Sequence, residues 1–362
     1  MKYLKKKKLK PLWLVLLADV LLVGVILVIF AFFHHVLPQM VANYEWQQAQ
    51  LNATEPAETL ATEATEPSET VQQTEPSETV EQTEATEATE PDNRTEWQKK
   101  FEEHFTDEVV LTSNSYSSPE VSITVETVKT EMNGNPITYY LADIYIASID
   151  NFQTYTAYGD VIYYGAQDPV GMTKDTNAIV AINGDYMTVQ KDGFLVRNGV
   201  VHASNRNNSI CVLYPDGTME AYDQGTYVIE DILAREPVQV WSFGPSLLDE
   251  NGQVKEEYDM LSGVNGVHPR CAVGYFEPGH YCFVVVDGRQ NHSVGLRMNQ
   301  LAQIFVDLGC TVAYNMDGGA SAVMMFDQRV ISRQSNERDL GDILLITDSY
   351  YKQENQPQEG AE

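Results

Sequence analysis

Ala313-Tyr-Asn-Met-Asp-Gly-Gly-Ala-Ser321, followed by the apolar run Ala322 to Phe326, is the stretch on which the fold reading turns. Thr311 to Asn315 reads as a buried strand, Asp317 stands in a turn, and a second strand follows. Gly318 and Gly319 let other backbone come close at that turn. Asp-Gly between apolar runs is also the commonest hairpin signal, so a plain hairpin is the alternative. Recurrence argues for more. Polar residues stand just past apolar strands at four other points: Asn183-Gly-Asp-Tyr186, Phe243-Gly-Pro-Ser246, His268-Pro-Arg270 and Asp287-Gly-Arg289.

Working outward, Val121 to Lys129 alternates apolar and polar residues, and Ile137 to Ile149 is β-branched and aromatic; both predict strands. Ala178 to Ile182 predicts a short buried strand that delivers Asn183 and Asp185. Asn198-Gly199 and Pro215-Asp-Gly-Thr218 each predict a hairpin. Val238 to Phe243, Ala272 to Phe276 and Tyr281 to Val286 complete the strands. One helix stands out after Ser293, its expected N-cap: Leu296, Leu301, Ile304, Phe305 and Leu308 fall on one face, and Gly309 closes it. The pattern predicts an α+β fold, a strand-rich mixed sheet with few helices and irregular loops gathered at one edge.

The 362 residues divide unevenly. Residues 1–11 form a basic segment with six lysines, and 12–34 an apolar span interrupted by Asp19. That length suits one transmembrane helix, and the lysines before it place the amino terminus in the cytoplasm. A cleaved signal peptide would have a shorter apolar core of about 7–15 residues. Residues 35–96 carry Thr-Glu-Pro and Thr-Glu-Ala repeats, too polar to offset the entropy of ordering, and predict an extended acidic, disordered linker outside the cell. Residues 97–349 form one domain, and 350–362 a polar tail.

The net charge of −29 excludes nucleic acid as a natural partner, because binding it requires a basic surface. No cofactor is demanded, with calcium the candidate that acidic strand ends would suit. Cys211, Cys271, Cys282 and Cys310 form no Cys-x-x-Cys pair, and their spacing chooses neither disulfides nor buried thiols.

Asp185, Asp287 and Asp317 each follow an apolar strand beside a glycine. Paired carboxylates are what glycosidic bond cleavage uses, and also what calcium binds. Each could instead hold its turn through an Asx hydrogen bond. Arg270, Arg289 and Arg338 suit phosphate, whose oxygens a guanidinium grips in a plane; salt bridges to the aspartates are the structural alternative. His268, fixed by the Pro-Arg that follows, could transfer protons near neutral pH.

Ala181-Ile-Asn-Gly-Asp-Tyr186, Ser242-Phe-Gly-Pro-Ser-Leu247, His268-Pro-Arg-Cys-Ala-Val-Gly274, Val285-Val-Asp-Gly-Arg289 with Ser293-Val-Gly295, and Asn315-Met-Asp-Gly-Gly-Ala-Ser321 come in an order that resembles the phosphodiester glycosidase family over about residues 170–347. That family is named for the enzyme that uncovers mannose 6-phosphate by removing N-acetylglucosamine. Ala320, Ala322 and Cys271 depart from it, standing where it usually has glycine, serine and threonine. The resemblance implies an extracellular membrane-anchored hydrolase that cleaves the glycosyl bond of a sugar-1-phosphate diester in a cell-envelope glycan or exopolysaccharide. Asp185, His268, Asp287 and Asp317 would share catalysis; Asn183, Arg270, Arg289, Gly318, Gly319, Ser321 and Arg338 would bind substrate and phosphate. Two other readings are a non-catalytic wall polysaccharide-binding module and a metal-dependent phosphodiesterase that cleaves P–O.

Overall fold

Where apolar runs are punctuated by Asn-Gly and Asp-Gly, the chain folds back on itself. Asn133 and Gly134 take φ of 54° and 77°, and Asn198 and Gly199 take 51° and 81°, both left-handed pairs that match the twist of the strands they join. The first of these turns carries the strand predicted to end near Lys129 on to Met132.

The computed structural model describes residues 94–159, 165–186, 193–205, 208–258, 260 and 264–354. Residues 1–11, the predicted span 12–34 and nearly all of the linker 35–96 lie outside the described residues, as does most of the tail. Among the described residues no helix is long and apolar enough to cross a membrane.

The strands are β1 (Val110–Leu111), β2 (Ser115–Ser117), β3 (Val121–Met132), β4 (Asn135–Ile146), β5 (Phe152–Thr156) and β6 (Val180–Asn183). Next come β7 (Phe194–Arg197), β8 (Val200–Ser204), β9 (Ile210–Leu213), β10 (Met219–Tyr222) and β11 (Gln239–Trp241). The series ends with β12 (Arg270–Glu277), β13 (His280–Val286), β14 (Val312–Asn315), β15 (Met324–Phe326), β16 (Arg329–Val330) and β17 (Asp342–Ile346). They form three sheets, in the orders β1-β2-β3-β4-β13-β12-β14, β10-β9-β11-β7-β8 and β16-β15-β6-β17-β5. Every pairing among them is antiparallel, which corrects the expectation of a mixed sheet. β13 and β14 do run the same way, but β12 lies between them, so the helix joining them crosses over without creating a parallel pair.

Phe152 marks where the sheets meet. Its ring lies 5.6 Å from Trp241 of the second sheet and 5.4 and 5.6 Å from Tyr281 and Phe283 of the first. All four are buried, and truncating such a ring costs about 3–5 kcal/mol. The outer face of the seven-stranded sheet is covered by the amphipathic helix Met298–Leu308, whose Leu301, Ile304 and Phe305 pack on Ala272, Val284 and Ala313. Gly309 ends it at φ 86°. Arg297, not Ser293, is its N-cap; the Ser293 hydroxyl instead donates to Asp287 O at 2.6 Å and accepts from Thr138 N at 3.0 Å. A further helix, Pro169–Thr176, opens on Asp168, which accepts from Gly171 N at 2.8 Å, and closes on left-handed Asn177.

The stretch 313–326 is not a hairpin. β14 belongs to the first sheet and β15 pairs with β6 in the third, so the Asp317 turn carries the chain from one sheet to the other.

Candidate functional site

Three strand ends meet at that crossing. Gly184, just past β6, donates to Asp342 O at 2.9 Å, and Asp317 N donates to Gly184 O at 3.2 Å. Asn183 bolts the junction: its Nδ2 donates to Asp317 O at 2.6 Å and its Oδ1 accepts from Val323 N at 3.1 Å. Asn183, Gly184, Tyr186, Asp317, Ser321, Arg338 and Asp342 line a narrow cleft with an empty volume of about 290 Å³.

Beneath the cleft lies a buried ionic group. Arg197 Nη2 donates to Asp185 Oδ1 at 2.8 Å and to Asp342 Oδ2 at 3.2 Å, with all three side chains buried. Asp185 Oδ2 accepts from Ser242 N at 2.7 Å. One guanidinium thus serves two carboxylates. Burial, and then the charge of Asp185, push the Asp342 carboxyl up to about 8, against the pull of Arg197. That direction favours the protonated form of the Asp342 carboxyl, set in the floor of the cleft.

Asp317 is the carboxylate the cleft can reach. Burial raises its pKa, while the Ser321 hydroxyl, the charge of Arg338 and the Gly318 amide oppose the rise. Arg338 is exposed at the rim, its guanidinium 5.6 Å from the Tyr186 ring. Tyr186 has φ 63°, a left-handed conformation costly for an aromatic residue.

On the other side of the Asp317 turn, His268 Nδ1 lies 3.2 Å from Arg289 Nη2. A guanidinium has only donors, so in this contact Nδ1 accepts. Arg289 is exposed and itself left-handed at φ 58°, and its guanidinium lies against Gly319, whose added Cβ would stand 3.3 Å away.

Residues 176–347 match the family model described as phosphodiester glycosidase. Over those residues this chain is similar to that family. A curated relative, the SPbeta prophage-derived uncharacterized protein YomE of Bacillus subtilis (strain 168), is 27% identical over 198 residues, 51% of this chain. The match spans about a third, 31%, of that relative's length. Among solved structures, the zebrafish N-acetylglucosamine-1-phosphodiester alpha-N-acetylglucosaminidase catalytic domain, auto-inhibited by its pro-peptide, aligns with a TM-score of 0.53 at 21% identity, covering 67% of this chain and 88% of that one. The fold is shared. A hypothetical protein from Synechocystis aligns at 13% identity and a TM-score of 0.43, covering 63% and 62% of the two chains.

Within residues 176–347, the expected residues separate by what their polar atoms already do. Asp317, Ser321, Arg338 and Asn183 come together at the cleft; His268 and Arg289 flank the same turn. Asp185 lies beneath, both carboxylate oxygens already bonded. Arg270 departs from the phosphate-binding expectation: buried, it donates to Leu296 O, Val264 O and Gly266 O at 2.8, 2.9 and 2.6 Å, fixing the loop ahead of β12. Burial, helped by the charge of Arg289, lowers its pKa to about 10. Asp287 is likewise enclosed, accepting from Tyr140 Oη, His292 Nε2 and Arg333 N. The Gly319 amide is spent on Pro269 O at 3.0 Å, and the Gly318 amide on Asp317.

Arg197 and Asp342 escaped the sequence reading. Their signal was present as a lone charge in an apolar strand, in Phe194-Leu-Val-Arg197 and Asp342-Ile-Leu-Leu-Ile346. Of the family departures, Ala320 carries no left-handed φ, so alanine fits without strain, and the Cys271 thiol donates to Asn183 O at 3.7 Å. All four cysteines are buried free thiols. Among the described residues no three His, Cys, Asp or Glu side chains gather as a metal cage.

Proposed function

We propose that this chain is a hydrolase of phosphodiester-linked sugars that breaks the bond between the anomeric carbon and the phosphate oxygen. Water adds its oxygen to the anomeric carbon, and the phosphomonoester leaves with the bonding electron pair. The observation that carries the reading is the pairing of a buried acid, Asp342, with a reachable carboxyl, Asp317, in one cleft rimmed by Arg338. Burial raises both carboxyls, Asp342 from within the ionic group and Asp317 where the cleft reaches it, which suits one to give a proton and the other to face the sugar. Asp317 activates water or supports the positive charge that develops on the sugar, and Asp342 offers a proton. Arg338, with Arg289 across the turn, holds the phosphate oxygens. His268 orients Arg289.

The same proposal places the domain outside the cell, tethered by the apolar span 12–34 and the acidic linker 35–96, with envelope or exopolysaccharide phosphodiesters as substrates. The basic-then-apolar start and the Thr/Glu/Pro composition support that placement.

Incubating the full chain with a sugar-1-phosphate diester in ¹⁸O-labelled water tests the reaction. Label on the released sugar is expected. Label on phosphate would replace the reading with P–O cleavage, and binding without any product would replace it with a binding module.

A further inference from the structure

Asp287 was expected at the chemistry, yet its carboxylate is walled off from the Asp317 cleft and serves another residue. Oδ2 accepts from His292 Nε2 at 2.8 Å and from Tyr140 Oη at 3.1 Å, and Oδ1 accepts from Arg333 N at 2.9 Å. Its backbone is equally fixed, N–H donating to Thr138 O at 3.0 Å and O accepting from the Ser293 hydroxyl. A carboxylate fixed in this way holds the imidazole by one nitrogen and sets the direction of the other.

That imidazole is half-exposed and lines a second cleft of about 1040 Å³, bounded by the β3–β4 hairpin and the turns at His292 and Arg333. Lys129 and Arg333 line it too, with Thr127, Thr130 and Thr138 supplying hydroxyls. No carboxylate is among the lining residues, and neither Lys129 nor Arg333 is paired with one among the described residues. On a chain of net charge −29, two exposed cationic side chains, Lys129 and Arg333, meet at one opening with an imidazole that Asp287 holds from behind, and together they form a local anion trap.

We propose that this cleft is a second phosphate-binding subsite, formed by Lys129, His292 and Arg333, with Asp287 as the residue that positions the imidazole. The cation geometry stands by itself; the choice of phosphate as the anion rests on the proposed phosphodiester chemistry. The turn from Asp287 to Ser293 sends Arg289 to the Asp317 side and His292 to this one. A polymer with repeating phosphates is thereby held at two points, one at the reacting bond and one beyond it.

Titrating the full chain, isotopically labelled at histidine, with inorganic phosphate at constant ionic strength tests the subsite by NMR, with H292Q to assign the signals. A saturable shift of the His292 ring signals is expected, with binding about tenfold weaker or more in the K129Q/R333Q variant, which loses two charge-assisted contacts on exposed side chains. His292 signals that do not move, or that move with equal affinity in the variant, would overturn the proposal. The readout involves no turnover. A chain that binds phosphate at His292 but hydrolyses no sugar phosphate keeps the subsite and loses the function, and the reverse result does the opposite.

Discussion

A Cβ added to Gly184 would stand 2.2 Å from Asp342 Oδ2, closer than any side chain tolerates. The Asn-Gly-Asp turn therefore has its glycine because the buried acid at the floor of the cleft sits directly against its backbone. Replacing Gly184 by Ala should cost about 2 kcal/mol or more, in the range of overpacked cores. Gly134, at φ 77° with nothing within 4 Å, isolates the backbone contribution. Gly134→Ala should cost only about 1 kcal/mol, the penalty of a left-handed alanine. Urea unfolding of both variants compares them, and equal losses would remove the close-approach explanation.

Asp342 makes stability depend on pH. Its pKa is about 8 in the fold against an ordinary 3.8, so the folded state binds the extra proton between those values. Its contribution is complete below about pH 4 and is lost as pH rises through 8, at about 1.4 kcal/mol per unit in that window. Asp342→Asn, permanently neutral, should flatten the slope of unfolding free energy between pH 5 and 8 relative to the unchanged chain. If the carboxyl donates a proton in turnover, kcat should fall above pH 8, and in D342N it should be low throughout.

Arg197 bridges two buried carboxyl groups, those of Asp185 and Asp342. Arg197→Met leaves both without their cation and should destabilise the domain by about 3–5 kcal/mol. Adding Asp185→Asn and Asp342→Asn to that variant removes the stranded charges and should recover part of the loss. Thermal or chemical unfolding of the single and triple variants tests it; equal stability would mean that the ionic group is not coupled.

Arg338 and Arg270 should separate cleanly. Arg338→Ala, at the exposed rim, should raise KM about tenfold while leaving unfolding unchanged, as expected for a lost charge-assisted contact to substrate. Arg270→Ala strands three backbone carbonyls and should lower stability by about 2 kcal/mol or more. Asp317→Ala should lower kcat about 10²-fold or more, the usual span for a general acid or base. Kinetics and denaturation on each variant decide.

The thiols should be silent in the native state. Burial raises the pKa of Cys211, Cys271 and Cys282, leaving little thiolate to react. Alkylation at neutral pH should label none of the three until the domain unfolds; rapid native labelling would contradict their burial.

Local chemistry made much of the fold legible. Asn198-Gly199 sets a hairpin because only a left-handed pair matches the twist of β7 and β8, and Leu301, Ile304 and Phe305 announce a helix face whichever sheet receives it. The helix Pro169–Thr176 went unpredicted, although Asp168 before proline and Asn177 at its close carried the signal. The division into three antiparallel sheets was not legible. Period-two alternation tells a strand which side is buried, but it does not name its neighbour, and β14 and β15 read as hairpin partners although they belong to different sheets.

At the site, reading along the chain found which turns carry polar residues, and Asp317 and Asn183 stand out there because each follows an apolar strand beside a glycine. Roles followed from the fold, since a role depends on which neighbours occupy a group's lone pairs and protons. Asp185, Asp287 and Asp317 look alike in sequence. In the fold, one is bonded to Arg197 and a backbone amide, one is bound to His292, and one faces the cleft. Asp342, unremarked in its strand, has its carboxyl pushed up because packing buries it and then sets it beside Asp185, 157 positions away in the chain.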